Sequence, residues 1–458
     1  MRRRHPAYFA VAALVLLTGS GGSCSDRERG ETTPPAASLP APELRLLVLT
    51  DLDGYLEPCG CTSRPLGGID RMAAQVGQLR DEGLPTVFLA AGNLLFHGAP
   101  HGGDVERGRD QELMRSETLR DILRRLELTA AAPGPLDFSY GTDRFTELAR
   151  GVETHWLATG AQIAETPDAP PVLAALHRAR AGNLDVAIIG IADLHRSDGT
   201  LPDGVTEEDP LAAARAALSG VDADVVVALV SGDRRLARRA AALDGVDLVV
   251  HGGTDDAEAR PPSSGEGAPI VSAGRQGQGL VVVDVRRGEG GWVDASDWSR
   301  EEQRRHLAER VEAQERRVEE WSHDESVAAA DLANQRRRLA SLQRELAALD
   351  APPVVTGGYF RARYVELPPE TPREAEVTAM MRALDRRTND HNRELFADWA
   401  PEPAPEGSPH YVGSQACATC HAWPSRWWQG HPHGHAYATL EERDKNYNLS
   451  CVGCHVTG

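Results

Sequence analysis

From residue 44 the chain alternates short, wholly apolar runs with amphipathic stretches. LRLLVLT (44–50) and TVFLAAG (86–92) show no apolar–polar alternation, which predicts strands covered on both faces. LDVAIIGIADL (184–194), ADVVVALVSG (223–232), VDLVVHGG (246–253) and APIVSAG (268–274) repeat the signal, and GLVVVDVRR (279–287) reads as a closing strand. Between them VGQLRDEG, residues 109–127, PLAAARAAL and RLARRAAAL have helical spacing. Strands and helices in alternation predict an α/β layered domain over 44–295, with any ligand site at the carboxyl ends of the strands.

Further on the pattern changes. Leu307, Val311, Gln314, Val318, Trp321, Glu325, Ala328, Leu332, Gln335, Leu339, Leu342, Leu346 and Leu349 succeed one another in steps of four and three. That spacing predicts a coiled coil or helical hairpin over 296–350. SHDES (322–326) offers the turn of the hairpin, and one long helix would instead allow self-association through 301–349. Residues 351–405 read as a connector with a strand, VVTGGYFRARYVEL, and a helix from about Pro372 to Phe396. PEPAPEGSPH is a linker into 406–458, a small, mostly irregular or helical segment.

The amino terminus speaks to location. Arg2, Arg3, Arg4 and His5 precede an apolar run from Tyr8 to Leu17 and small residues up to Cys24. This is the pattern of an export signal over 1–24, too short for a membrane span of about 20 residues. GGSC resembles a bacterial lipoprotein processing site, with Gly21 where leucine is usual. Lipidation of Cys24, a simple cleaved signal and an uncleaved anchor all stand as readings. Residues 25–43 form a Pro-, Ser- and charge-rich tether. The expected location is the periplasm or outer cell face, with membrane contact through a lipidated amino terminus. A net charge of -19, from 68 acidic against 49 basic side chains, argues against nucleic acid or an anionic membrane surface as a partner.

Candidate chemistry enters with the cysteines. CATCH (Cys417, Cys420, His421) and CVGCH (Cys451, Cys454, His455) are two copies of the c-type haem attachment signature and use four of the seven cysteines. In each, the thiols would form thioethers and the histidine would be the proximal iron ligand. A CxxC disulfide and half a zinc knuckle are the alternatives. The expectation is two covalently attached haem c groups, electron transfer to redox partner proteins of the cell envelope, and no catalytic residues. Cys59 and Cys61, in EPCGC, are too close for an unstrained disulfide. A strained bond, free or transiently oxidised thiols, and a ligand pair remain open.

The stretch 44–287 carries a resemblance. TDLDGYLEPCGCTSRPLGGIDR (50–71), AGN (91–93), GPLDFSYG (134–141), VHGGTD (250–255) and SAGRQGQGL (272–280) resemble, in order and spacing, the motifs of the calcineurin-like metallophosphatases of the 5'-nucleotidase type. The resemblance implies their fold and, in active members, Asp, His and Asn ligands for two metal ions that clamp a phosphoryl group. Asp51 is retained, but the other ligand positions hold Asp53, Asn93, Pro135, Leu136, Ser231, Gly253 and Asp255. The departures imply a fold kept without its hydrolase. Asp51 and Asp53 are weak candidates for a single hard cation, placed on one side if the segment is extended; caps of a turn or helix are the alternative. His251 lies two places before a lost histidine position.

Residues 410–458 resemble multihaem cytochromes of the cytochrome c-554 type, through the first haem motif followed by Trp428, His433, Ala436 and Tyr437. The resemblance implies His433 as a distal iron ligand, with His431, His435 and His410 as competitors, and further haem motifs downstream. The reading that follows is an exported electron-transfer cytochrome on an inactive phosphatase-like scaffold, more an electron carrier than a hydrolase. Its alternatives are a metal-dependent phosphoesterase or 5'-nucleotidase-like hydrolase, and a non-catalytic binding or assembly protein of the envelope.

Overall fold

The computed structural model describes residues 39–456 apart from 59–63, 98–104, 165–169, 254–257, 263–266, 289–291, 351–354, 356 and 399–403. Cys24, Cys59, Cys61 and Asp255, and the export, lipidation and CxC readings with them, lie outside the described residues.

The elements follow in the order β1 (Leu44–Thr50), α1 (Ile69–Asp81), β2 (Thr86–Gly92), α2 (Val105–Arg125), β3 (Ala130–Pro133), α3 (Thr142–Arg150), β4 (His155–Leu157), β5 (Ala161–Ile163), β6 (Leu173–Ala174), β7 (Leu176–Ala181), β8 (Leu184–Ala192) and β9 (Val205–Glu207). Then come α4 (Pro210–Leu218), β10 (Val225–Ser231), α5 (Arg234–Ala241), β11 (Leu248–Gly252), β12 (Ile270–Val271), β13 (Gly279–Arg286), β14 (Val293–Asp294), α6 (Asp297–Ser322), α7 (Ala329–Ala348), β15 (Tyr359–Glu366) and α8 (Ala375–Leu395). Short helices α9 (Ser414–Ala418), α10 (Ala422–Gln429), α11 (Ala436–Glu441) and α12 (Leu449–His455) end the chain. By its contacts the chain divides into two compact units. One holds Glu43–Val285, Ser296–Glu302 and Arg361–Gly458, the other Met1–Pro42, Arg286–Ala295 and Gln303–Phe360.

The larger unit is an α/β layered fold with two main sheets and a two-stranded antiparallel pair, β5-β9. One runs β15-β13-β1-β2-β3-β4-β6, the other β12-β11-β10-β8-β7. Pairing is parallel from β1 through β4 and from β12 through β8, while β13 and β7 join antiparallel. Every residue of β1 and β10 is buried, which is why these strands read as unbroken apolar runs. Where the sheets meet, a Cβ on Gly190 would lie 2.0 Å from the Leu157 carbonyl oxygen, and one on Gly252 2.1 Å from that of Ala91. Glycine is required there for the close approach of two backbones. The helices form where their caps permit: the Asp209 side chain accepts from the Leu211 and Ala212 N–H groups ahead of α4, and Asp233 from Leu236 N–H ahead of α5. Leu367, Val377, Met381 and Leu384 share a core cluster with Met72, Val76, Leu119 and Ile122. The connector helix α8 is thus part of the α/β body.

In the smaller unit the four-and-three pattern falls on two helices. They are joined across SHDES as the hairpin reading expects, whereas the coiled-coil alternative is corrected: of the patterned side chains only Val311, Gln314 and Leu342 are buried. Polar pairs link the helices instead, with Gln314 Nε2 donating to Gln335 Oε1 at 2.9 Å and Gln343 Nε2 to Glu315 Oε1 at 3.0 Å. Among the described residues no helix is long and apolar enough to cross a membrane.

Candidate functional site

Two groups of polar side chains stand at the carboxyl ends of the parallel strands. The first follows β1. Asp51 and Asp53 are 2% and 3% exposed, and both have left-handed backbone, with φ 44° and 51°. The segment is therefore not extended, which corrects the alternation expected to set the two carboxylates on one side. Asp51 Oδ1 accepts from Asn93 N–H (3.2 Å) and Gly253 N–H (2.8 Å), and Oδ2 also lies 3.0 Å from Gly253 N. It ties the end of β1 to the ends of β2 and β11. Asp53 Oδ2 accepts from Arg275 Nε and Nη2 at 3.1 and 3.0 Å, so a guanidinium supplies the positive charge beside it.

The other family positions are engaged in the same manner. Asn93 Oδ1 accepts from Leu136 N–H at 2.9 Å. Asp137, fully buried, accepts from the N–H groups of Leu94, Leu95 and Gly134. Burial pushes its carboxyl up to about 7 against those donors. His251 is 6% exposed with Nε2 2.9 Å from the Gly232 carbonyl. His97, which the sequence did not single out, sits with Nδ1 3.1 Å from the Asp53 carbonyl oxygen and its ring against Tyr55. Pro135, Leu136 and Gly253 bring no side-chain ligand, and Ser231 Oγ is wholly buried without a hydrogen-bond partner.

The second group follows β8. Asp193 N–H donates to the Ser231 carbonyl at 2.8 Å, which fixes the loop beside the end of β10. His195 Nδ1 lies 2.8 Å from Asp193 Oδ1 and 3.3 Å from Glu207 Oε2. One ligand atom from each of Asp193, His195 and Glu207 falls within 4.8 Å of the others, so the three could hold a metal ion. The Asp193 and His195 side chains are about half exposed, whereas that of Glu207 is 4% exposed and its Oε1 has no hydrogen-bond partner. Burial pushes the Glu207 carboxyl up to about 7, with His195 pulling it down and Asp193 pushing it further up. Three N/O ligands with open access suit a borderline divalent ion such as zinc or manganese. The signal in the sequence was the DLH turn directly after an apolar strand. Glu207, twelve residues on and on another strand, was invisible without the fold.

The cysteines give a different picture. Cys417, Cys420, Cys451 and Cys454 are free thiols, all exposed except the partly covered Cys451. A porphyrin needs apolar walls, yet Trp423, Trp427 and Trp428 are 69%, 55% and 46% exposed. Leu440 is the single buried apolar side chain among the described residues of 414–456. His455 Nδ1 lies 2.7 Å from the Ala436 carbonyl oxygen. His433 lies beside Trp428 and His431, and its N–H donates to His431 Nδ1. His421 opens α10 without capping it.

No protein-family model and no curated protein matches the chain. A 5'-nucleotidase precursor from Thermus thermophilus superposes with a TM-score of 0.50 at 16% identity, over 75% of this chain and 58% of that one. The fold is of the 5'-nucleotidase type. A sulfate thiohydrolase from the same organism is similar at TM-score 0.49 and 16% identity, over 77% and 62% of the two chains. A calcineurin-like phosphoesterase from Bacillus subtilis is similar at 0.42 and 18%, over 55% and 88%. The chain spans 58% of the length of the nucleotidase precursor.

These findings correct the cytochrome reading. The nucleotidase-type likeness covers more of the chain than residues 44–287 contain, so the picture of a cytochrome fused to a degenerate phosphatase domain gives way to one continuous fold. The residues expected to carry haem c form no apolar enclosure for it. Side chains suited to a non-haem ion instead gather at Asp193, His195 and Glu207. The expectations of two haem c groups, of electron transfer and of a carrier rather than a hydrolase are corrected accordingly.

Proposed function

We propose that this chain is a metal-assisted hydrolase of phosphoesters, in which Asp193, His195 and Glu207 hold one divalent ion. The observation that carries the reading is Glu207: a carboxylate 4% exposed, with one oxygen lacking a hydrogen-bond partner, within ligand distance of His195 and Asp193. A buried, unsatisfied carboxylate oxygen is costly unless something fills its place. The fold supports the substrate class, and the carboxyl ends of the strands are where open α/β sheets place ligands. Bound there, the ion would lower the pKa of a water and polarise a phosphoryl oxygen. The protein's own part is to present the three ligands, keep His195 oriented through Asp193, and leave the outward side of the site open. Export is consistent with the charged and apolar amino-terminal pattern.

Asp53 favours a second reading. Arg275 neutralises it, and Asp51 is engaged by two backbone N–H groups. The two-ion clamp of the active family is therefore not assembled, and an ion-binding protein without turnover follows if one ion is insufficient. The deciding experiment measures hydrolysis of p-nitrophenyl phosphate and its bis ester by chelator-treated protein with added manganese or zinc. Metal-dependent turnover that Glu207→Gln abolishes supports the hydrolase. Stoichiometric binding without turnover establishes the second reading, and no binding sinks both.

A further inference from the structure

The segment entering α12 lies against the α/β body in an unusual way. Tyr447 N–H donates to Asn389 Oδ1 (2.8 Å) and the Tyr447 carbonyl accepts from Asn392 Nδ2 (2.8 Å). Leu449 N–H donates to Gln111 Oε1 (3.0 Å), and Gln111 Nε2 donates to Ser450 Oγ (2.9 Å). Gln111, Asn389 and Asn392 are 3%, 6% and 0% exposed. Three buried amides thus hold the backbone of 447–449 from α2 and α8, much as a sheet edge would hold a strand. Asn392 Nδ2 also donates to Gln111 Oε1 (3.0 Å), so the amides orient one another.

At the head of this segment is Lys445, with 9% of its side chain exposed. Its Nζ pairs with Glu57 and lies 3.5 Å from Asp385 on α8. The two carboxylates hold the ammonium charged against its burial. Glu57 closes the turn that begins at Asp51, and Leu56 of that turn is buried with its carbonyl bonded to Ile69 N–H. One lysine therefore joins the carboxyl-terminal segment, the connector helix and the turn carrying Asp51 and Asp53.

We propose that residues 445–450 are a releasable strap that locks the turn 51–58. The contacts are polar and the segment has little apolar anchorage beyond Leu440, so the strap separates without disrupting the core. The inference does not depend on the hydrolase reading, since its test reads backbone exchange.

Hydrogen–deuterium exchange on the full chain decides it, with Lys445→Ala, Lys445→Arg and Asn392→Ala as variants. Removing the buried ammonium leaves Asp385 without its cation and releases Glu57, whose side chain is 53% exposed, so peptides covering 444–452 and 52–58 should both exchange at least about tenfold faster in Lys445→Ala. The β10 strand should be unchanged, and Lys445→Arg should stay near the parent. Asn392→Ala should free 444–452 first. Faster exchange at 444–452 with 52–58 unaltered would show that the segment locks nothing. Unchanged exchange in both alanine variants, or loss of protection spreading to β10, would equally overturn the strap.

Discussion

Two acidic groups stand at the same edge of one fold and differ in how their charge is met. Asp51 and Asp53 are buried, and each is met by groups of the protein: backbone N–H of Asn93 and Gly253 for one, the Arg275 guanidinium for the other. Asp193 and Glu207 share the His195 imidazole, with the His195 backbone N–H also donating to Asp193 Oδ1, and Glu207 Oε1 has no hydrogen-bond partner. Carboxylates answered by fixed donors hold a fold together, whereas a carboxylate left over beside an imidazole is prepared for an external cation. The family resemblance directs attention to the first group. The gathering of two carboxylates and an imidazole within ligand distance, with no guanidinium against Glu207 among the described residues, directs it to the second.

The contrast is broken most directly at Asp51. If its part is to tie strand ends, Asp51→Ala leaves two buried N–H groups unanswered, at about 3 kcal/mol in stability. Urea unfolding should show that loss, while ion binding and any metal-dependent turnover persist in the folded fraction. Turnover that vanishes with Asp51 while stability holds would return the site to the family position.

Glu207 is the converse. Glu207→Gln should weaken zinc or manganese binding at least about 100-fold by calorimetric titration, with a melting temperature close to that of the parent. A variant that binds as before would show that the cluster at Asp193 is a surface ion pair and nothing more.

Arg275 sharpens the comparison further, because it can be turned from one kind of group into the other. Its replacement by alanine leaves Asp53 buried and charged, and stability should fall by about 2 kcal/mol, less than for a fully buried pair because the guanidinium is partly solvated. Adding Asp53→Asn should restore most of it. With Arg275→Ala alone, added divalent ion should raise the melting temperature by occupying the place the guanidinium left. A lack of any ion effect would show that Asp51 and Asp53 are too constrained to ligate even when free.

Much of the α/β body was legible in the chain because its strands are buried on both faces, and such runs need no tertiary information to be seen. Strands β1, β2, β8, β10, β11 and β13 fall where the apolar runs do. The division into two sheets was not legible, since it depends on glycines such as Gly190 and Gly252 whose role appears only when backbones meet. The lost ligands could be named from sequence, but not what replaced them. Arg275 lies more than two hundred residues from Asp53, and no local pattern pairs them. The haem signatures misled functional inference for the opposite reason: they are purely local, and a covalent motif says nothing of the enclosure that must surround a cofactor.

The smallest expected effect concerns pH, and it separates stability from ligation. His155 and His177 stack with ring centroids 3.5 Å apart. Burial, and then the neighbouring His155, hold the His177 imidazole below its ordinary value. A folded pKa below the unfolded one means that the pair's contribution is present above about 6.5 and is lost as pH falls through the lowered value. Ion binding at the Asp193 cluster also weakens on acidification, because the Glu207 carboxyl, pushed up to about 7 by burial, must be ionised to ligate. Both losses therefore run in the same direction. In His177→Gln the first should disappear, so that the melting temperature of the metal-free protein becomes flatter below pH 6.5, while the decline of ion affinity stays as in the parent. Should the substitution flatten both curves, the stacked histidines and the Asp193 cluster would titrate as one unit, and the two acidic groups could no longer be treated as independent of the rest of the fold.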